Sequence, residues 1–144
     1  MSVGRAVLNI VAGTTAVGGV VADWNRTHLL NPNWPPHARF HDAMTISVGA
    51  LLGFGALYAL NRQGDDPDRD TALAAVLPAV FWTSMGAAFA FPGTKGLQAE
   101  FPHLVPRIRG VWIDERFASA GMLALTALGY GLERHARRSR LQQA

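Results

Sequence analysis

Four long stretches of this 144-residue chain contain no charged side chain. They have 17, 19, 24 and 16 residues, and they lie between Arg5 and Asp23, Asp42 and Arg62, Asp70 and Lys95, and Arg116 and Glu133. A transmembrane helix needs roughly 17–25 predominantly apolar residues. A soluble four-helix bundle would instead place charged side chains on its outer faces at nearly every turn. The pattern therefore favours four membrane spans over a soluble bundle.

These stretches define the predicted fold. The class is all-α, a four-helix transmembrane bundle with up-down-up-down topology and both termini on the same side of the membrane. We expect one integral-membrane domain over residues 1–144. Its predicted spans are 6–22, 43–61, 71–91 and 114–132, and a basic tail covers residues 134–144.

Charged residues are scarce and concentrated in the connectors. They make up 16% of the chain, against roughly 25% in ordinary soluble proteins. In a four-span topology seven Lys and Arg residues fall on the side of the termini and six on the other. Positive residues favour the cytoplasmic side, so we expect the cell membrane with both termini cytoplasmic. The arginine-rich tail then flanks a span, and no nucleic-acid partner is expected.

Local signals indicate where the second helix begins and what it contacts. Prolines suit the first turn of a helix, so helix two is expected to begin near Pro35 or Pro36. Gly49 and Gly53 have the GxxxG spacing that lets two helices approach closely. We therefore expect this face of helix two to contact another helix.

The connectors after spans one and three lie on the same side of the bilayer in this topology. They carry most of the histidine, tryptophan and carboxylate side chains, whereas the connector between spans two and three is a short acidic turn. We expect a functional site at the rim formed by these two connectors. The predicted catalytic candidates are Asp23, His28, His37, His41, Asp42 and Glu115, and the predicted substrate-binding candidates are Asn25, Asn31, Trp34, Glu100, His103 and Asp114.

The sharpest local motif is His37-Ala-Arg-Phe-His41-Asp42. On a helix the i, i+4 spacing stacks the two histidines on one face, where they can ligate a metal or share a proton. A partially buried His37 or His41 is expected to move a proton in an acid/base site, and Asp42 to orient a neighbour or pair with Arg39 or Arg116. The alternative is an interfacial helix start whose polar side chains anchor at the head groups.

Two further pairs have the spacing of acid/base partners. Asp23 and His28 form one if the chain turns after span one, although capping and loop hydrogen bonds explain them equally well. Glu100 and His103 meet only if their stretch is helical. The tryptophans that flank the spans are more typical of an interfacial belt than of a substrate cage.

The stretch THLLNPNWPPHARFHD within residues 23–42 resembles the signature of an uncharacterised family of small four-span membrane proteins. This resemblance implies the fold and no established activity. More loosely, four short spans with histidines and carboxylates at one rim are similar to the sterol isomerase and sigma-2 receptor superfamily and to small membrane epoxide isomerases. No catalytic role is carried over from them, because no motif matches residue by residue.

Three functions are consistent with these features. The first is a small integral-membrane enzyme that acts on a lipophilic small molecule by acid/base chemistry, such as isomerisation, cyclisation or epoxide opening. The second is a non-enzymatic membrane scaffold or accessory subunit, and the third is a haem or metal binder that uses His37 and His41. The expected partners are the lipid bilayer, a lipophilic ligand and, through small-residue faces, a further copy of the chain. The sequence leaves the cofactor unknown, and the absence of cysteine excludes disulfides.

Overall fold

The computed structural model of the protein describes residues 1–142 and is predominantly α-helical. Four long helices follow one another: α1 (Val3–Asp23), α2 (Pro36–Asn61), α3 (Pro67–Ala87) and α4 (Glu115–Gln142). The predicted all-α class with four helices is confirmed. The last two residues of the predicted basic tail, 143 and 144, lie outside the described residues.

The helix starts follow from the residues that precede them. Ser2 caps α1 because its side chain accepts a hydrogen bond from the Arg5 amide. Asp66 caps α3 by accepting from the Asp68 and Arg69 amides. Proline occupies the first turn of α2, which begins at Pro36 as predicted.

The loop after α3 contains short regular elements that the sequence did not indicate. Single 3-10 turns cover Ala88–Ala90 and Leu97–Ala99, and strands β1 (Arg107–Ile108) and β2 (Val111–Trp112) form an antiparallel hairpin. Its two turn residues, Arg109 and Gly110, have φ angles of 48° and 85°. Two consecutive positive φ angles match the strand twist in a two-residue hairpin.

Small residues allow α1 and α2 to pack closely. A β-carbon at Gly53 would overlap the backbone of Ala16, so only glycine permits this approach. One turn earlier, a β-carbon at Gly49 would lie 3.1 Å from the Phe81 ring of α3 and 3.3 Å from the Thr15 carbonyl oxygen of α1. The helix contact predicted from the GxxxG spacing is confirmed, and this face of α2 meets both neighbouring helices.

A buried polar network ties three helices together in the interior. Trp82 Nε1 of α3 donates a hydrogen bond to Thr15 Oγ1 of α1 at 2.9 Å. The hydroxyl of Ser119 in α4 donates to the backbone carbonyl of Trp82. All three residues are buried, and their hydrogen bonds compensate the cost of placing polar atoms in the core.

Three helical segments within the described residues are long and apolar enough to cross a membrane: Val3–Asp23, Pro36–Asn61 and Pro67–Ala90. The fourth predicted span is not among them. Its uncharged stretch has only 16 residues, and α4 continues beyond it into the arginine-rich tail. The helix exists, but its composition alone does not mark it as a span.

Candidate functional site

A cavity of about 550 Å³ lies between α2 and α3, where the loops after α1 and α3 meet the bundle. Its volume falls within the roughly 300–1,000 Å³ that is typical of small-molecule sites. The walls are largely apolar and include Met44, Val48, Leu52, Val80, Phe81 and Met85. Met44, Val48 and Val80 are also exposed at the surface, so the cavity opens sideways between the two helices.

The loop end of this cavity is polar. The loop after α1 contributes Thr27, His28 and Trp34, the loop after α3 contributes Lys95 and Glu100, and α4 contributes Glu115. Four of these side chains, His28, Trp34, Glu100 and Glu115, are among the predicted site residues. Apolar walls with a few convergent polar groups are the usual form of a ligand site.

His28 reaches the cavity because the chain turns sharply after α1. The Leu29 amide donates to the Asp23 carbonyl oxygen at 3.0 Å. This turn leaves His28 Nδ1 at 3.8 Å from Asp23 Oδ1 and at 2.8 Å from Thr27 Oγ1. The rings of His28 and Trp34 pack edge to face, with 5.7 Å between their centroids. The two side chains that the sequence pairs as acid/base partners therefore come together.

Two predicted substrate-binding residues shape the loop instead of lining the cavity. Asn25 Oδ1 accepts from the Thr27 amide at 2.8 Å and from its hydroxyl at 2.6 Å. Buried Asn31 accepts from the Asn33 amide at 3.0 Å. Such Asx turns fix a loop by hydrogen bonding its own backbone. Through Thr27, Asn25 indirectly positions His28.

Glu115 begins α4 and lines the same cavity as His28. Its Oε1 accepts from the Leu97 amide at 2.9 Å, while its buried Oε2 has no hydrogen-bond partner among the described residues. A β-carbon at Gly96 would overlap this free oxygen. Glycine at that position thus leaves room for the carboxylate.

Asp42 makes neither of its expected ion pairs, with Arg39 or with Arg116. Arg39 donates to the Asn31 carbonyl oxygen at 2.8 Å, and Arg116 binds Asp114. Asp42 is half-buried, and its Oδ2 has no partner within the described part of the chain. The charges of Asp42 and Glu115 act on the Asp23 carboxylate, so three carboxylates share one electrostatic environment.

The Asp114 carboxylate is held by hydrogen bonds from neighbouring side chains. Arg116 Nε donates to it at 2.9 Å, and Gln98 Nε2 donates at 3.2 Å. The Arg116 guanidinium holds the pKa of the Asp114 carboxyl below its usual range. This buried, saturated carboxylate fixes the start of α4 and does not line the cavity.

The other predicted histidines lie outside the cavity. The expectation that His37 or His41 is partially buried is wrong, because both lie on the outward face of the first turns of α2 and are exposed. Their Nε2 atoms are 3.1 Å apart. His103 is exposed in a non-helical turn near Phe101, and no hydrogen bond or ion pair joins it to Glu100 within residues 1–142.

Sequence reasoning missed part of the cavity lining. Lys95 supplies a cation, and its position directly after the longest uncharged stretch was an available signal. Thr45 and Val48 of α2 also line the cavity. Phe81 and Phe89 carried no signal, because nothing in the sequence distinguishes cavity-facing aromatic residues from core or lipid-facing ones.

The described residues contain no group of three or more His, Asp or Glu side chains placed to hold a metal ion. In comparisons with known proteins, residues 6–144 match the model of a family described as "Family of unknown function (DUF6640)". No curated protein and no solved structure matches the chain.

Proposed function

This chain belongs to the family of unknown function DUF6640, and we propose that it is a four-span membrane enzyme that moves protons on a lipophilic substrate. The observation that carries the proposal is His28, which contacts Asp23 and also lines the apolar cavity. Acid/base chemistry requires such a titratable group within reach of a bound substrate.

The outward faces of the helices support the membrane location. Large apolar side chains are exposed on every helix, including Ile10, Leu51, Val76 and Leu128. Soluble monomers rarely expose contiguous apolar patches of more than a few hundred Å². A hydrocarbon environment removes this cost, so the bilayer is the proposed partner of these faces.

The fourth helix is compatible with a membrane span, because the charged residue that ends its uncharged stretch faces the protein. Its 16 uncharged residues extend about 24 Å, slightly less than the roughly 30 Å hydrocarbon core. Glu133, the next residue, is buried against α1 and accepts a hydrogen bond from Ser2. Because this charge faces the protein, the span can extend past it.

We propose an up-down-up-down membrane topology with both termini in the cytoplasm. The chain has no cysteine, so single cysteines can be introduced without a background. An impermeant maleimide added to intact cells should label Arg26→Cys and Arg109→Cys and should label Ser2→Cys and Gln63→Cys only after lysis. Labelling of Ser2→Cys and Arg26→Cys from the same side would contradict the four-span arrangement.

The proposed chemistry is proton transfer through His28. His28 gives a proton to one carbon of a double bond, or to an epoxide oxygen whose C–O bond then breaks, and either step leaves a carbocation. An adjacent carbon then returns a proton to His28, and the electrons of its C–H bond form the new double bond. Isomerisation by this route needs no other reagent. Asp23 and the Thr27 hydroxyl orient the imidazole through its Nδ1 side, which leaves Nε2 for the substrate.

The surroundings suit a substrate that becomes positively charged. Glu115 lines the cavity, and Asp23 lies beside the His28 ring that lines it, so carboxyl groups are within reach of a developing positive charge. The aromatic rings of Trp34 and Phe89 also line the cavity, and ring faces attract cations. Isomerisation, cyclisation and acid-assisted epoxide opening all pass through positive charge of this kind, so these are the proposed reaction classes.

Heavy water provides a direct test of this proposal. The full chain in lipid nanodiscs should bind apolar alkenes or epoxides, for example sterol and isoprenoid alcohols, and incorporate deuterium from the solvent into product or recovered substrate. Mass spectrometry detects each exchanged proton. His28→Gln should lose at least about 10²-fold in exchange rate, the usual contribution of a general acid or base.

Matched variants separate the enzyme from a scaffold. His103→Ala removes an exposed histidine outside the cavity and should keep full activity. Ligand binding without exchange in the wild-type protein would favour an accessory or carrier role. Exchange that survives His28→Gln would overturn the assignment of the proton-transferring residue.

A further inference from the structure

His37 and His41 form an exposed pair that the proposed reaction does not use. They lie on successive turns at the start of α2, and their Nε2 atoms are 3.1 Å apart. The rings meet edge to face at 4.5 Å between centroids. Neither residue lines the cavity that contains His28.

The separation of the two nitrogens matches the bite of a metal chelate. Metal–nitrogen bonds to histidine are about 2.0–2.1 Å long. Two such bonds at angles between square and tetrahedral place their nitrogens about 2.9–3.4 Å apart. The observed 3.1 Å falls within this interval, so the spacing of the two Nε2 atoms suits one ion, which would replace the N–H···N hydrogen bond between them.

Phe40 lies beside both rings, with centroid distances of 6.0 Å to His37 and 5.5 Å to His41. It stacks on His37 with an interplanar angle of 4° and meets His41 edge to face. Pro35 at the N-cap and Pro36 at the first position of α2 fix the backbone φ angles where the helix begins. Preorganised ligands lose less conformational entropy when they bind.

We propose that His37 and His41 chelate one divalent transition-metal ion through their Nε2 atoms. Neutral imidazole nitrogens favour Cu²⁺, Ni²⁺ and Zn²⁺, whereas Mg²⁺ and Ca²⁺ require oxygen ligands. Water completes the coordination, because the described residues supply no third histidine or carboxylate at the site. The site is independent of the proton-transfer reaction.

Equilibrium dialysis of the purified full chain against each metal tests the proposal. The wild-type protein should bind one equivalent of Ni²⁺, more tightly than Co²⁺ and less tightly than Cu²⁺. His37→Ala and His41→Ala should each weaken Ni²⁺ binding by about tenfold or more, because the second ligand of a chelate acts at a high effective concentration.

Matched histidine variants identify the site. His103→Ala and His135→Ala each remove one exposed histidine outside the pair, and they should leave Ni²⁺ affinity unchanged. Size-exclusion profiles and helical circular dichroism confirm that each variant is folded. Equal Ni²⁺ affinity in the wild type and the His37→Ala/His41→Ala double variant would overturn the proposal, as would an equal loss in His103→Ala or His135→Ala.

Discussion

Charged side chains are arranged differently at the two ends of the bundle. The terminal end carries the N- and C-termini, and the loop end carries the two long loops. At the terminal end, Arg62 binds Asp70 and Arg137 binds Asp68. A cavity of about 400 Å³ there is lined by Arg62, Asp70 and Arg137. At the loop end, the larger cavity is mostly apolar, and the carboxylates of Glu100 and Glu115 line it.

The unpaired atoms sharpen this contrast. Within the described residues, four buried side-chain atoms lack hydrogen-bond partners, and all four lie at the loop end: Arg39 Nε, Asp42 Oδ2, Gln98 Oε1 and Glu115 Oε2. Unsatisfied buried groups reduce stability, and they cluster where function requires them. The terminal end therefore stabilises the fold, and the loop end is where we place the chemistry.

The largest expected effect is on turnover at the loop end. Asp23→Asn removes the carboxylate beside His28 Nδ1 and should slow deuterium exchange by about 10²–10⁴-fold. The unfolding midpoint in detergent should stay close to that of the wild type. Asp65→Asn, at the terminal end, is the control and should change neither quantity. A parallel loss of stability in Asp23→Asn would assign it a structural role instead.

The next effect is on stability at the terminal end. Arg62→Ala leaves the buried Asp70 carboxylate without its hydrogen bonds at 2.5 and 3.0 Å. We expect a loss of stability, visible as a lower unfolding midpoint in detergent, because the carboxylate keeps its charge without its hydrogen-bond donors. Arg26→Ala removes an exposed arginine from the loop after α1 and should have little effect. Equal midpoints for the two variants would contradict the division between the ends.

The overall architecture was accessible from the sequence because it depends on composition along the chain. Uncharged stretches located the helices, and Pro36 marked the start of α2. The bundle topology brought His28, Trp34, Glu100 and Glu115 into one group. Short-range patterns of this kind are read directly from residue order.

The sequence did not show which histidine lies at the cavity. This depends on the rotation of α2 about its own axis and on the turns of the loop after α1. Whether His41 faces inward is decided by how α2 packs against its neighbours, and that packing depends on Gly49 and Gly53. Whether His28 meets Asp23 depends on a turn fixed by backbone hydrogen bonds in the loop. The sequence therefore proposed six catalytic candidates where the cavity is lined by two of them.

A smaller effect is expected from neutralising the free carboxylate of the cavity. Glu115→Gln keeps an oxygen for the Leu97 amide and removes a partly buried negative charge. We expect the unfolding free energy to change by no more than about 0.5–1 kcal/mol, in the stabilising direction, while deuterium exchange slows. Gln98→Glu, which adds charge nearby, should move stability in the opposite direction. Marked destabilisation by Glu115→Gln would show that the free oxygen is structurally required.

The last effect depends on pH and concerns Asp114, which pairs with an arginine at the loop end as Asp70 does at the terminal end. Arg116 lowers its pKa below the ordinary value of 3.8. A lowered pKa in the folded state adds stability above pH 3.8, and this stability is lost as the pH falls through the folded-state pKa. Arg116→Gln should therefore have a lower unfolding midpoint than the wild type at neutral pH, and the difference should disappear in acid. A difference that stays constant with pH would mean that Arg116 stabilises the fold by packing on Phe89, whose ring lies 5.1 Å from its guanidinium, and not through Asp114.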